Sequence, residues 1–194
     1  MKSSLSIFFL LIIYNLSFSQ SSSNQSEISK LFANSISSID SVPDYKAKKK
    51  PFKLTGTLYL EDGVTPAANH IITINQADEN GDYVFTKDGK NKILRHRAVV
   101  KTDVNGSYTF YTFVPGGDRL YNQLQEIYMK VETPEGNTYA LPTLFFDDDP
   151  FLSKRCKNRL TKKGQGDRIL QFQSKDNMAI ATKEVILETT MPLN

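Results

Sequence analysis

KTDVNGSYTFYTFVPGG, residues 101–117, reads as a tight turn that delivers the chain into a strand. Asp103, Asn105 and Gly106 are turn formers: glycine accepts a positive φ, and Asp or Asn side chains bond their own backbone. Ser107–Phe113 is then a run of Thr, Tyr and Phe, side chains that fit a pleated, half-buried surface. The same grammar repeats on both sides. LTGTLYL (54–60), HIITINQ (70–76), AVVK (98–101), QEIYMKV (125–131), TYALPTLFF (138–146), RILQF (168–172) and EVILE (184–188) are further short runs of this type. They are separated by EDG, ENG, PGG, PEG, DDDP and KKGQG. About eight short strands with little helix between them predict an all-β fold, an antiparallel β-sandwich. A parallel α/β sheet would need crossover helices, for which there is no signal.

The rest of the chain frames this domain. Of 194 residues 39% are hydrophobic and 23% charged, with no Trp, an ordinary globular profile. A formal charge of +3, scattered along the sequence, argues against nucleic acid as a partner. Lys2, the apolar run Ile7–Tyr14 and the small residues around Ser17–Ser19 match a signal peptide over residues 1–19, too short to span a bilayer. Export follows, to a periplasm or the cell exterior, and no cysteine follows the apolar run to carry a lipid anchor. Residues 20–51 form a Ser-rich lead and one short N-terminal helix marked by Ile28, Leu31, Phe32, Ile36 and Ile39. The basic run Lys46–Lys50 follows, expected as a solvated spacer into the domain at 52–194. Cys156 cannot form a disulfide within the chain and is expected to be buried or capped.

The neighbours of the opening stretch add to its meaning. LTGTLYLEDGVTPAANHIITINQADENGDYVF precedes it and LFFDDDPFL follows. Together these motifs, over roughly Lys53 to Leu187, resemble the core of the intradiol ring-cleavage (catechol) dioxygenases, particularly their small exported members. The resemblance implies a ferric ion, Fe(III), held by two tyrosines and two histidines, and cleavage of catechol-like aromatics. Tyr83, in ENGDY, matches the first tyrosine. The second falls on Asp118, with Tyr121 three residues away. The segment that carries both histidines falls on Gln123–Tyr128, so Glu126 and Tyr128 stand where imidazoles would be, and Gln123 stands where a substrate-stabilising arginine would be.

QLQEIYMKV (123–131) therefore matters for function. Its alternation puts Gln125, Ile127, Met129 and Val131 on one face and Glu126, Tyr128, Lys130 and Glu132 on the other. The second face has three readings: a solvated strand face, a rebuilt hard-cation site of Tyr83, Asp118, Glu126 and Tyr128, or a family site in another arrangement. Exchanging imidazoles for a carboxylate and a phenol would make the site more negative, favouring Fe(III) and disfavouring a dianionic substrate. Two function classes follow: a non-catalytic binding protein for an aromatic or glycan small molecule, with Tyr83, Tyr121 and Tyr128 as stacking surfaces, and a divergent non-haem iron dioxygenase. No catalytic residue is nominated. His70 and His96 are expected at the surface or at strand ends. Asp147–Asp149 is expected to cap a short helix, and Gly164-Gln165-Gly166 lacks the context of a phosphate cradle.

Overall fold

The turn that opens residues 101–117 forms as its residues dictate. In the computed structural model, which describes residues 35–175 and 177–188, Asp103 Oδ1 accepts from Asn105 N at 2.9 Å and from Ser107 N at 2.8 Å. Gly106 takes φ +69° and donates to Asp103 O at 3.0 Å. The strand it releases is one of thirteen among the described residues. In chain order they are β1 Ile39–Ser41, β2 Pro51–Tyr59, β3 Ile71–Gln76, β4 Phe85–Asp88, β5 Asn91–Leu94, β6 Arg97–Lys101 and β7 Ser107–Phe113. After them come β8 Glu126–Glu132, β9 Thr138–Phe146, helix α1 Lys154–Lys162, then β10 Ile169–Leu170, β11 Gln173–Lys175, β12 Met178–Thr182 and β13 Val185–Ile186. They belong to one compact unit, Ser37–Asn194.

Two sheets share the core. The first runs β1-β7-β2-β12-β11 with β13 also on β2, the second runs β10-β9-β8-β3-β6, and β4-β5 is a separate hairpin. The β-rich expectation holds. The all-antiparallel order does not: β1–β7, β2–β12, β2–β13 and β9–β10 pair in parallel. Parallel neighbours need a crossover connection, and the segment holding α1 supplies one between β9 and β10. The parallel additions are two to five residues long, too short for an alternating pattern to stand out.

Alternate residues of the long strands fill the core. Phe52, Leu54 and Leu58 of β2 and Phe110 of β7 meet Ile72 and Ile74 of β3, Ile127 and Val131 of β8, and Leu144 and Phe146 of β9. Phe52 joins the sheets, packing edge-on to Phe146 and Phe172 with ring centroids 5.8 and 4.9 Å away. One buried amide is fully engaged: Gln76 Nε2 donates to Phe113 O at 2.9 Å and its Oε1 accepts from Thr112 at 2.6 Å. At Gly56 the chain after β12 passes so close that a Cβ would lie 1.8 Å from Lys183 O, the carbonyl that also accepts the Tyr108 hydroxyl at 2.6 Å.

Several local expectations change. Ile39, assigned by its spacing to a helix, lies in β1, where Ile39↔Thr109 begins a parallel pairing with β7. Helical spacing among five apolar residues does not exclude extended structure at the last of them when a sheet edge offers hydrogen bonds. The other helix positions through Phe32, and the signal peptide, lie outside the described residues. Lys46–Lys50 is exposed at every residue but Lys48, and it is also tied to the domain: Lys48 pairs with Glu79 and sits over the Phe113 ring, Lys49 N donates to Glu79, and Lys50 pairs with Asp148. His70 and His96 are buried, not superficial. Cys156 is exposed, because α1 buries none of its residues. Ser153, not the Asp147–Asp149 run, caps α1, accepting from Cys156 N at 3.2 Å. Among the described residues no helix is long and apolar enough to cross a membrane.

Candidate functional site

β8 turns its apolar residues to the core and its polar ones outward. Ile127, Met129 and Val131 are buried, while Tyr128 is 41% exposed and Glu132 is exposed. Tyr128 sits at an irregularity. β8 and β9 slip register between Ile127↔Leu144 and Met129↔Leu141, leaving Pro142 and Thr143 opposite it. Proline has no N–H to give the ladder, and such bulges re-aim the side chains beside them.

Tyr83 is delivered by the loop between β3 and β4. Asp78 organises that loop, its Oδ1 accepting from Asn80 N at 2.8 Å and Asp82 N at 3.0 Å. A second loop, between β7 and β8, is locked to the first: Gly116 N donates to Asp78 O at 2.7 Å, and Gln123 Nε2 donates to Gly81 O at 3.2 Å. Gln123 thus acts as a tie between loops. The start of β8 is tied in turn to Asp149, a buried carboxylate that accepts from Gln125 N at 2.9 Å and Phe151 N at 2.8 Å.

Three of the four sequence-predicted site residues come together here. The Tyr128 hydroxyl donates to Glu126 Oε2, and the Tyr83 phenol lies near enough for its proton affinity to feel both Tyr128 and Glu126. Burial raises the Tyr83 phenol above its ordinary value, opposed by its bond with Tyr128 and aided by the charge of Glu126. Burial also raises Tyr128, and the bond to Glu126 and that carboxylate's charge push it further. Both phenols are therefore neutral at pH 7, with the Tyr128 hydroxyl bonded to one carboxylate. Asp118 is engaged elsewhere: its Oδ1 accepts from Leu120 N at 2.7 Å, and its backbone bridges to Gln123. Tyr121, on the same loop, is 77% exposed.

Neither histidine of the chain has a described contact with this cluster. His70 Nδ1 is 2.9 Å from Ala68 O, at the start of β3. His96 packs edge-on to Phe113, its ring centroid 5.1 Å away, with Nδ1 unpartnered among the described residues. The same holds of His, Cys, Asp and Glu more widely: among the described residues no three come together as a metal-holding group.

The comparisons with known proteins bear on the fold. No family model and no curated protein sequence matches the chain. Solved structures do. The dioxygenase domain of a dioxygenase carbohydrate-binding protein fusion from Streptomyces sp. SirexAA-E superposes with a TM-score of 0.55 at 19% identity, over 76% of this chain and 86% of that one. An intradiol ring-cleavage dioxygenase from Tetranychus urticae gives 0.60 at 18%, over 79% and 88%. The chain has the intradiol dioxygenase fold. A catechol 1,2-dioxygenase from Acinetobacter sp. ADP1 gives 0.53 at 16%, over 75% of this chain and 55% of that longer one.

Within the intradiol fold, the two-tyrosine, two-histidine ferric set can be tested against the residues present. They do not fit it. Tyr83, on the loop before β4, has a phenol and a carboxylate near it, and no imidazole joins them among the described residues. What the cluster offers is a hydrogen-bonded polar edge beside aromatic rings. The strand alternation and Tyr83 were visible in sequence. The bulge at Pro142, the Asp78 turn and the Asp149 tie were not, since each depends on a partner distant along the chain.

Proposed function

We propose that the chain is an exported, non-catalytic binding protein built on the intradiol fold. Its ligand is a phenolic aromatic small molecule that stacks on Tyr83 and Tyr128 and hydrogen-bonds to Glu126. The observation that carries this reading is the Tyr83–Tyr128–Glu126 cluster: the Tyr128 hydroxyl donates to the Glu126 carboxylate on the outward face of β8, with the Tyr83 phenol of the neighbouring loop beside them. A phenolic ligand suits it, having a ring to stack and a hydroxyl to donate.

The first test is iron content and the visible spectrum of the purified protein, followed by thermal shift with catechol and with an oligosaccharide. The reading expects neither stoichiometric iron nor a tyrosinate-to-iron absorption band, and a catechol-induced rise in Tm that Tyr128→Ala abolishes. Near one iron per chain with that band would overturn it in favour of the other reading of these donors, a hard-cation site of Tyr83, Glu126 and Tyr128 joined by Asp118. A shift with the oligosaccharide alone would reassign the ligand class. Export is tested separately, by the N-terminal residue of protein recovered outside the cytoplasm, which should lie near Gln20.

A further inference from the structure

Helix α1 carries KRCKNRLTK and is followed by Lys163 at its C-cap, so that Lys154, Arg155, Lys157, Arg159, Lys162 and Lys163 are cations and no residue is acidic. At about 100° per residue, Arg155, Arg159 and Lys162 fall on one stripe, with Lys154 and Lys163 flanking it. Lys157 and Leu160 are on the opposite side. Burial matches this geometry: Lys157 and Leu160 are partly buried and every other helix residue is exposed. Lys157 Nζ pairs with Asp147 at 2.9 Å, and among the described residues it is the one of the six cations in an ion pair.

Helix stability accounts for only part of this arrangement, since Arg159 and Lys162 stand in the last turn, where the dipole favours cations. Lys154 and Arg155 stand in the first turn, where the helix dipole disfavours positive charge, and that turn has no acid to compensate. Arg155 and Arg159, and Arg159 and Lys163, are like charges four residues apart, which repel. The first-turn cations and the repelling pairs, kept in water against the helix's preference, are what an anionic partner outside the chain would offset.

We propose that the solvent face of α1 is a docking surface for a linear acidic polysaccharide carrying sulfate or carboxylate groups. The charge complementarity is direct, and the planar guanidinium forks of Arg155 and Arg159 match such groups with paired hydrogen bonds. From Arg155 to Lys162 the row runs about 10 Å along the axis, a straight track for an extended chain. Asn158, also exposed, offers an amide to sugar hydroxyls. The helix has no aromatic residue on which nucleic acid bases would stack. Its solvent face has no large apolar side chain to enter a lipid surface.

The full chain is applied to a heparin matrix and eluted with salt, and its affinity for heparin in solution is measured against salt concentration. Arg155→Ala, Arg159→Ala and Lys162→Ala are combined in one variant; alanine favours helix, so α1 is retained. The control combines Lys87→Ala, Lys90→Ala and Lys92→Ala on the β4–β5 hairpin, removing the same charge elsewhere. The helix variant should lose about tenfold or more in affinity near physiological salt and show a shallower salt dependence, and the control should lose far less. Equal losses in the two variants, or none in the helix variant, would overturn the proposal. So would double-stranded DNA or phosphatidylglycerol vesicles binding the unmodified chain as tightly as heparin.

Discussion

The two faces of β8 are built from alternate residues of one stretch and are held by different physics. Ile127, Met129 and Val131 enter a core where any apolar side chain of the right volume serves, and their neighbours on β3 and β9 supply the rest of the packing. Glu126, Tyr128 and Lys130 face away from that core, and chemistry there depends on residue type rather than volume. The inward face can therefore keep the intradiol fold at 16–19% identity while residue types on the outward face are free to vary. Fold and ligand chemistry are separable along a single strand, because its side chains alternate with a period of two.

The sharpest way to break this contrast is to damage the inward side. Phe52→Ala would remove a fully buried ring that touches Phe146 and Phe172, at a cost of about 3–5 kcal/mol in urea unfolding. Cluster and fold should then be lost together. Asp149→Ala joins the two regions, for it leaves the part-buried Gln125 and Phe151 amides without their acceptor. The expected loss is about 1–3 kcal/mol, and amide hydrogen exchange should rise at Gln125 and Phe151 before it rises in β3.

The same contrast explains what the sequence reveals. Residues 101–117 are legible because their signals are local: an Asp whose side chain bonds two residues on, a glycine at positive φ, and a run of strand formers. The outward alternation at Glu126–Glu132 is legible for the same reason. Parallel pairing of β12 and β13 with β2 is not, since Ala181↔Leu54 and Val185↔Leu58 join segments more than a hundred residues apart and leave no periodicity behind. Lys46–Lys50 shows what composition leaves out: the run is largely exposed, as it reads, but it is also tied to Glu79, Phe113 and Asp148, all remote in sequence. Tyr83 and Tyr128 can be named from their motifs, but their approach to each other, and the absence of Asp118 from their hydrogen bonds, are properties of loops tied through Gly116 and Gln123.

A smaller effect separates the histidines from the site. His96 is 3% exposed, and its imidazole is held below its ordinary value of 6.5 chiefly by burial, with Lys48 and Arg95 adding to the shift and Asp78 and Asp44 opposing it. The folded state thus binds its proton less readily than the unfolded chain. Its contribution to stability is complete above about pH 6.5 and is lost as pH falls from there through the folded value. Tm should decline between pH 7 and pH 5, and His96→Gln should flatten that decline without altering any ligand-induced shift at Tyr128.

The smallest expected effect on stability is the most informative about the outward face. Glu126→Gln removes the charge that helps to hold both phenols above the ordinary tyrosine value while keeping a hydrogen-bond acceptor near Tyr128. Folding free energy at pH 7 should change by less than about 1 kcal/mol, as for an exposed polar contact. Ultraviolet titration of the phenols should still move: Tyr83 and Tyr128 should ionise at lower pH in the variant, and Tyr128 should move more, because it loses both the charge and its bond to a carboxylate. Since a raised phenol stabilises the fold below the unfolded tyrosine value and loses that contribution as pH climbs through the folded one, the variant's alkaline loss should end at lower pH and be smaller in total. If the two titrations coincide instead, Glu126 is electrostatically remote from the phenols in solution, and the outward face of β8 is a solvated strand surface rather than a site.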